Sequence, residues 1–409
     1  MTNTRRAVVT GIGVISPSGN SAIELYDSLK NGRSGVRGMT EWKDYFGKVI
    51  ANAPVTLDPA RIKQINRKVR RTMGNAALFS GLAAQEAVLQ SGIDPAEFTN
   101  GRTAVVIGST VGSASSMAEA CIAENEGRRD DLSSCHFFRM MSHSSSFNVA
   151  DLFGINGIQL SPCAACASGL QALGTAQELI RLGKADVVLA GGSDESTSLV
   201  ASSFQLLYAL AEEETAEPDK LPRPFDANRT GLVCAEGAGI LVVEEYEHAK
   251  NRGAEILFEI AGYATNCSGW HVSHSDEMQI ANCMRTAMQD AGINADEIDY
   301  VSAHATGTKV GDQAEAAAIR QVLGDKVPVS SLKGHIGHTL GASGALELAA
   351  VHGMMKDGIV LPTRNLETVT DCAGICLPQD IMEHRIRTFV KNSIAFGGVN
   401  TSMVCRVID

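Results

Sequence analysis

A chain of 409 residues with 44% hydrophobic and 20% charged side chains can bury a large core in one big or two fused domains. Its net charge of -11 argues against nucleic acid as the main partner. No apolar stretch approaches the roughly 20 residues of a membrane helix, and ten irregularly spaced cysteines fit reduced thiols in the cytoplasm better than a disulfide framework.

In chain order, Ala7-Val-Val-Thr10 reads as a short buried strand that breaks at Gly11, too short for a signal peptide, and Arg5-Arg6 alone makes no twin-arginine signal. Gly11-Ile-Gly13 resembles a dinucleotide fingerprint without its third glycine, which is weak support for a nucleotide. Between Arg61 and Arg71, six cations fall in eleven positions with apolar residues between them. This is either a solvated helix face or a patch for an acidic partner, with Lys63, Arg67, Lys68 and Arg71 as its candidate contacts. Ala76 to Ser91 and Gly169 to Leu182 read as helices; Ala104 to Ile107, Ala185 to Ala190 and Gly239 to Glu244 read as buried strands. The alternation predicts an α/β fold.

A break near Glu247 to Gly253 precedes a further strand, Glu255 to Ile260, and divides the chain into residues 1–250 and 251–409. The two parts look related. Gly157-Ile-Gln-Leu160 leads through small residues to Cys166, a helix and Gly183 to Val188; Val327-Pro-Val-Ser330 leads through Lys333 and His338 to Gly344 to Ala350 and then Lys356 to Val360. A duplicated unit lets strand-to-helix turns from both halves meet in one cleft, bringing Cys166 to His338.

Cys166 falls where an extended stretch gives way to a helix, a place whose unsatisfied N–H groups favour a thiolate. Burial as a small inert residue competes with that reading. Cys163-Ala-Ala-Cys166 is also a CxxC, so a dithiol redox site stays open, whereas a zinc site lacks a second ligand pair. His304 and His338 are surrounded by Gly, Ala, Ser and Thr, which leave room for a ligand. Thr306 and Thr308 would present a row of hydroxyls if extended, and Glu315 and Asp312 are candidate partners of Lys333 or of each other. Phe396-Gly-Gly-Val-Asn400 offers backbone N–H groups to an oxyanion, or is a plain turn.

Together Ala165-Cys166-Ala-Ser-Gly169, His304-Ala-Thr-Gly-Thr308 with Asp312 and Glu315, Lys333 with Gly337-His338 and Gly341-Ala-Ser-Gly344, and Phe396 to Asn400 resemble the β-ketoacyl carrier-protein synthases. Arg223-Pro-Phe-Asp226, Arg229 and Glu236 to Gly239 resemble that family's middle segment. The resemblance implies a thiolase-like fold, a duplicated five-layer αβαβα arrangement, usually dimeric. It implies that Cys166 accepts an acyl chain, that His304 and His338 hold the malonyl thioester carbonyl, and that Lys333, supported by Glu315, organises charge. It further implies an oxyanion hole from the N–H groups of Cys166 and Phe396. Thr306, Thr308 and Ser273 would contact the substrate arm, Phe396 would gate the acyl pocket and Val111 would bear on chain length. The partner is an acyl carrier protein, which brings its own phosphopantetheine, so no separate cofactor and no metal is expected; the second subunit is another copy or a related ketosynthase chain.

Two histidines fit the elongating enzymes, and Cys166 argues against the inactive chain-length subunits. Ala305, Lys309, Leu332, His335 and the rim segment Cys267-Ser-Gly-Trp270-His271 depart from the usual pattern around the substrate entrance, which adds a polyene, polyketide or modified acyl chain to the standard fatty acyl one as candidate substrates. Ala211-Glu-Glu-Glu214 places acid where base is common, which leaves Lys68 and Arg71 at the centre of the docking patch. A partner subunit of chiefly structural role and a dithiol oxidoreductase are the competing functions.

Overall fold

Ten strands and six principal helices follow one pattern twice in this computed structural model, which describes residues 5–271 and 275–408. The first copy comprises β1 (Ala7–Ile15), α1 (Asn75–Ser91), β2 (Thr103–Gly108), α2 (Ser144–Phe153), β3 (Gln159–Leu160), α3 (Ser168–Arg181), β4 (Val187–Asp194) and β5 (Gly237–Glu245). The second comprises β6 (Phe258–Cys267), α4 (Glu277–Ala291), β7 (Tyr300–Ser302), α5 (Lys309–Leu323), β8 (Val329–Ser330), α6 (Ser343–Asp357), β9 (Thr388–Ala395) and β10 (Val399–Arg406). Strand order is β3-β2-β4-β5-β1 in one and β8-β7-β9-β10-β6 in the other, the same order from outer edge to inner. In each, the outer three strands are parallel and the remaining pairs antiparallel. The copies join where Ala7–Val9 pairs antiparallel with Phe258–Ile260, making one hydrogen-bonded run of ten strands.

Strands β1, β2, β4 and β5 are buried along their whole length, as strands covered on both faces must be. Alternate residues sort between two cores. Ala104, Val106, Val188 and Leu241 face the central helices α3 and α6, while Val105, Ile107, Leu189 and Ile240 face α1 and α2. Val301, Val390 and Val404 meet α4 and α5 on the far side. The layers therefore run α, β, α, β, α, as the resemblance implies.

Two details differ from the sequence reading. The first strand does not end at Gly11 but runs to Ile15. Gly11 and Gly13 lie under a helix: a Cβ on them would lie 2.1 Å from the Ala87 carbonyl oxygen and 1.7 Å from that of Ala83, so their bare backbones let α1 approach the sheet. The strand expected from Ala185 starts at Val187. Its preceding Asp186 instead pairs with Arg5 and, at 2.8 Å, with Arg102.

The two central helices enter through matching turns. Ala165, at φ +46°, opens a 3-10 turn over Ala165–Ala167 before α3, and Leu340, at φ +53°, opens one over Leu340–Ala342 before α6. Cys166 and Gly341 are thus counterparts. The turns pack so tightly that a Cβ on Gly169 or Gly192 would stand 2.4 or 2.1 Å from the Gly341 carbonyl oxygen.

Gly13→Ala should cost about 2–3 kcal/mol, the scale of an overpacked core. Gly32→Ala, with φ +65° and nothing within 4 Å, should cost only about 1 kcal/mol. Urea denaturation of both variants checks this; equal losses would show that helix approach is not what Gly13 provides.

Candidate active site

Cys166 follows directly on the strained residue Ala165 and is 4% exposed. Its Sγ lies 2.9 Å from His338 Nε2. The expectation of a ready thiolate is corrected here: burial pushes the thiol up to about 12, Lys333 opposes the shift and the buried Asp194 carboxylate adds to it. Desolvation outweighs the helix start. Burial also holds His338 well below its ordinary value, with the charges of Lys333 and Lys391 acting in the same direction. Burial thus disfavours the charged form of both members of the pair.

His338 Nδ1 lies 3.1 Å from Ser343 Oγ, the first residue of α6. A hydroxyl accepts from Nδ1–H or donates to a bare Nδ1, so Ser343 supports either tautomer. His304 stands edge-on to His338, ring centroids 5.2 Å apart at 82°. Its ring makes no hydrogen bond among the described residues, and burial followed by Lys333 and His338 keeps it well below the usual range. The ligating atoms of Cys166, His304 and His338 all lie within 4.8 Å of one another.

The carboxylates expected to support Lys333 do other work. Glu315 accepts the backbone N–H groups of His304 and Ala305 at 2.8 and 2.7 Å, and Asn392 donates to it at 3.1 Å. Asp312 accepts from the N–H groups of Thr306, Gly307 and Phe225 at 3.0, 3.1 and 2.9 Å. These acids on α5 hold the loop from His304 to Thr308, and neither is hydrogen-bonded to Lys333 or to the other. Lys333 instead pairs with Glu347 of α6 at 2.5 Å, and the other oxygen of Glu347 meets Lys391 of β9 at 2.5 Å. All three are fully buried.

One pocket is lined by Cys166, His304, His338, Thr306, Thr308 and Phe396, together with Asp312 and Glu315. Thr306 and Thr308 share a side, but through a turn at Gly307, φ +88°, and not an extended run; their hydroxyls lie 3.2 Å apart. Buried Arg229 fixes this loop by donating to the carbonyls of Thr308 and Lys309 at 3.0 and 2.7 Å. Phe396 sits in the β9–β10 hairpin beside Phe204, at 5.9 Å, followed by Gly397 and Gly398 at φ +88° and +77°.

Other candidates lie apart. Val111 is 43% exposed and does not line the pocket. Its loop is held by Asp194, which accepts from Ser109 Oγ, Thr110 N–H and, at 2.7 Å, Gly341 N–H. Lys63, Arg67, Lys68 and Arg71 are exposed around two short helices, Pro59–Ile62 and Arg67–Arg70, with no ion pair among the described residues. Ser273 lies outside the described residues. Cys163 is exposed and donates to the Thr110 carbonyl at 3.3 Å, while Cys166 faces His338; both thiols are free.

A cysteine from one copy of a duplicated α/β unit, meeting two histidines from the other in a shared pocket, defines a thiolase-like acyl-transfer site. Family models for the N-terminal and C-terminal domains of beta-ketoacyl synthase match residues 4–249 and 257–367, and the chain belongs to that family. It is 37% identical to 3-oxoacyl-[acyl-carrier-protein] synthase 1 of Haemophilus influenzae over 98% of each chain. It is similar to the crystal structure of a beta-ketoacyl synthase from Burkholderia phymatum, with TM-score 0.93 and 37% identity over 99% of this chain and 100% of that one. A ketosynthase in complex with its type II polyketide acyl-carrier protein matches at TM-score 0.91 and 33% identity, over 99% of this chain and 100% of that one.

Sequence reasoning missed Glu347, Lys391, Ser343 and Asp194. Glu347 and Lys391 were visible as lone charges inside otherwise apolar runs, Leu346-Glu-Leu-Ala and Phe389-Val-Lys, where a charge must be buried with a partner. Ser343 and Asp194 carried no comparable signal.

With the thiol held protonated by burial, alkylation of Cys166 by iodoacetamide should accelerate continuously from pH 7 to 9. A rate already flat across that window would mean the thiolate is preformed.

Proposed function

We propose that the chain catalyses decarboxylative Claisen condensation, with residues 1–250 supplying the nucleophile and 251–409 the two histidines and Lys333. The observation that carries this reading is the single pocket in which Cys166 Sγ meets His338 Nε2 at 2.9 Å with His304 edge-on beside it. Cys166 attacks the carbonyl of an acyl thioester while His338 takes the thiol proton and passes it to the departing pantetheine thiolate. The tetrahedral oxyanion is met by the N–H groups of Cys166 and Phe396.

In the second half-reaction the C–C bond to the malonyl carboxylate breaks, CO2 leaves and its electron pair becomes a thioester enolate. N–H groups of His304 and His338 hold the enolate oxygen; its carbon attacks the acyl–Cys166 carbonyl, and Cys166 leaves as thiolate and is reprotonated from solvent. Thr306 and Thr308 receive the pantetheine arm. Phe396 gates the acyl pocket, and Val111 bears on acyl length from the neighbouring subunit's side. The arm arrives on its carrier, so no separate cofactor takes part. Among the described residues no helix is long and apolar enough to cross a membrane, and ten cysteines fit a reducing cytoplasm.

An acidic carrier protein needs a local basic surface on a chain of net charge -11. The exposed Lys63, Arg67, Lys68 and Arg71 supply one, whereas Glu212 is already paired with Lys48 at 3.1 Å. Subunit pairing is with a second copy or a related ketosynthase chain. The rim departures at Trp270 and His271 support a polyene or polyketide substrate.

Among the described residues only His338 is hydrogen-bonded to the thiol, so His338→Ala should lose both Cys166 acylation and condensation. His304→Ala should keep acylation and lose at least about 100-fold in CO2 release, the scale of one oxyanion donor. Intact mass and CO2 evolution separate the two; loss of acylation in His304→Ala would contradict the assignment. The double variant Lys68→Glu/Arg71→Glu should raise KM for the carrier-bound substrate roughly tenfold, more at low salt, as rim charges do. An equal loss on a pantetheine thioester without its carrier would rule against docking there.

A further inference from the structure

Lys391 is the buried charge for which the roles above have no use. It projects from β9 into the layer behind the histidines and is 0% exposed. Its Nζ meets Glu347 at 2.5 Å and donates to the carbonyls of Ser302, Ala303 and Asn392 at 3.3, 3.4 and 2.6 Å. Ser302 and Ala303 are the two residues before His304. Asn392, next in the strand, donates to Glu315, which holds the N–H of His304 from the other side.

A buried carboxylate is matched by one ammonium, and Lys333 already supplies it at 2.5 Å. A second buried ammonium is costly to desolvate and gives the Lys333–Glu347–Lys391 trio one positive charge more than its carboxylate, while nearby Glu315 directs its oxygens to backbone N–H groups and Asn392. A scaffold does not require that surplus; a site where negative charge develops does. We propose that Lys391 is a positioning residue for the condensation: it anchors the strand end that carries His304 and, with Lys333 around Glu347, sets the surplus positive charge against which the enolate forms.

The groups facing it from each element are Glu347 of α6, Lys333 of the turn after β8, Glu315 of α5, Tyr300 of β7, and His304 and His338 beyond. Lys391 adds to burial and Lys333 in keeping both imidazoles neutral. Neutrality matters twice. An imidazolium at position 338 cannot take the thiol proton, and an imidazolium beside the enolate protonates it to an acetyl thioester instead of letting it condense.

The test rests on the condensing reading and separates from it. Formation of the β-ketoacyl product is followed from pH 5 to 9 for the wild type, Lys391→Met and Lys391→Arg. Removing the cation raises the histidines, so the acid limb in Lys391→Met should move up by about 1 pH unit, the usual effect of one nearby charge. Lys391→Arg should keep the limb in place. A Lys391→Met profile lowered evenly at every pH, or one unchanged, would overturn the proposal by making Lys391 a scaffold residue only. If Lys391→Met does not fold, Glu347→Gln carries the test with opposite sign, since losing the anion should move the limb down, and an unmoved limb there overturns it equally. A wild type that makes no β-ketoacyl product defeats the condensing reading itself, an outcome distinct from either.

Discussion

Everything at this site depends on how closely two backbone turns approach. The Ala165–Ala167 and Leu340–Ala342 turns start the two central helices, and they touch because Gly169, Gly192 and Gly341 carry no Cβ. Gly341 spends its N–H on Asp194 and presses its carbonyl against the other two glycines. That contact sets where α6 begins, and so where Ser343 holds His338 against Cys166. A single methyl at the contact would push the halves apart and with them the Cys166 thiol from the His338 imidazole.

Burial then decides the electrostatics. The thiol is driven up and both imidazoles down, which disfavours charge on all three groups. Charge appears during the reaction, in a setting whose donors are already placed, which is where electrostatic stabilisation is most effective. Lys333 and Lys391 lie one layer back about Glu347, whereas Asp312 and Glu315 of α5 reach the pocket lining. Burial pushes Asp312 up to about 7 despite the N–H groups it accepts. The two acids of α5 spend their oxygens on peptide N–H groups, and that is what holds the loop from His304 to Thr308 in its turn.

The same logic distributes function over the surface. The pocket is lined by Cys166, the two histidines, the threonines and the acids Asp312 and Glu315, while the cations around Lys68 and Arg71 stand by two short helices outside it. The basic patch and the pocket are therefore separate features of the surface.

What was legible in the sequence was local. Buried runs such as Ala104 to Ile107 mark strands because both faces need apolar cover, and small residues around Cys166, His304 and His338 mark turns open to a ligand. From these the α/β class, the duplication and the residues of the pocket could be read. Their protonation could not, since the helix-start argument for a thiolate lacked the term that wins, the degree of burial. Nor could the partner of Lys333: the choice among Asp312, Glu315 and Glu347 depends on which face of α5 or α6 meets the lysine. Gly11 and Gly13 likewise look like a nucleotide motif until α1 is seen lying across them. Residue chemistry and spacing determined what this protein can do; only the packing of the two copies decided which groups are dry, which are paired and which nitrogen reaches the sulfur, because solvation and distance are properties of the fold.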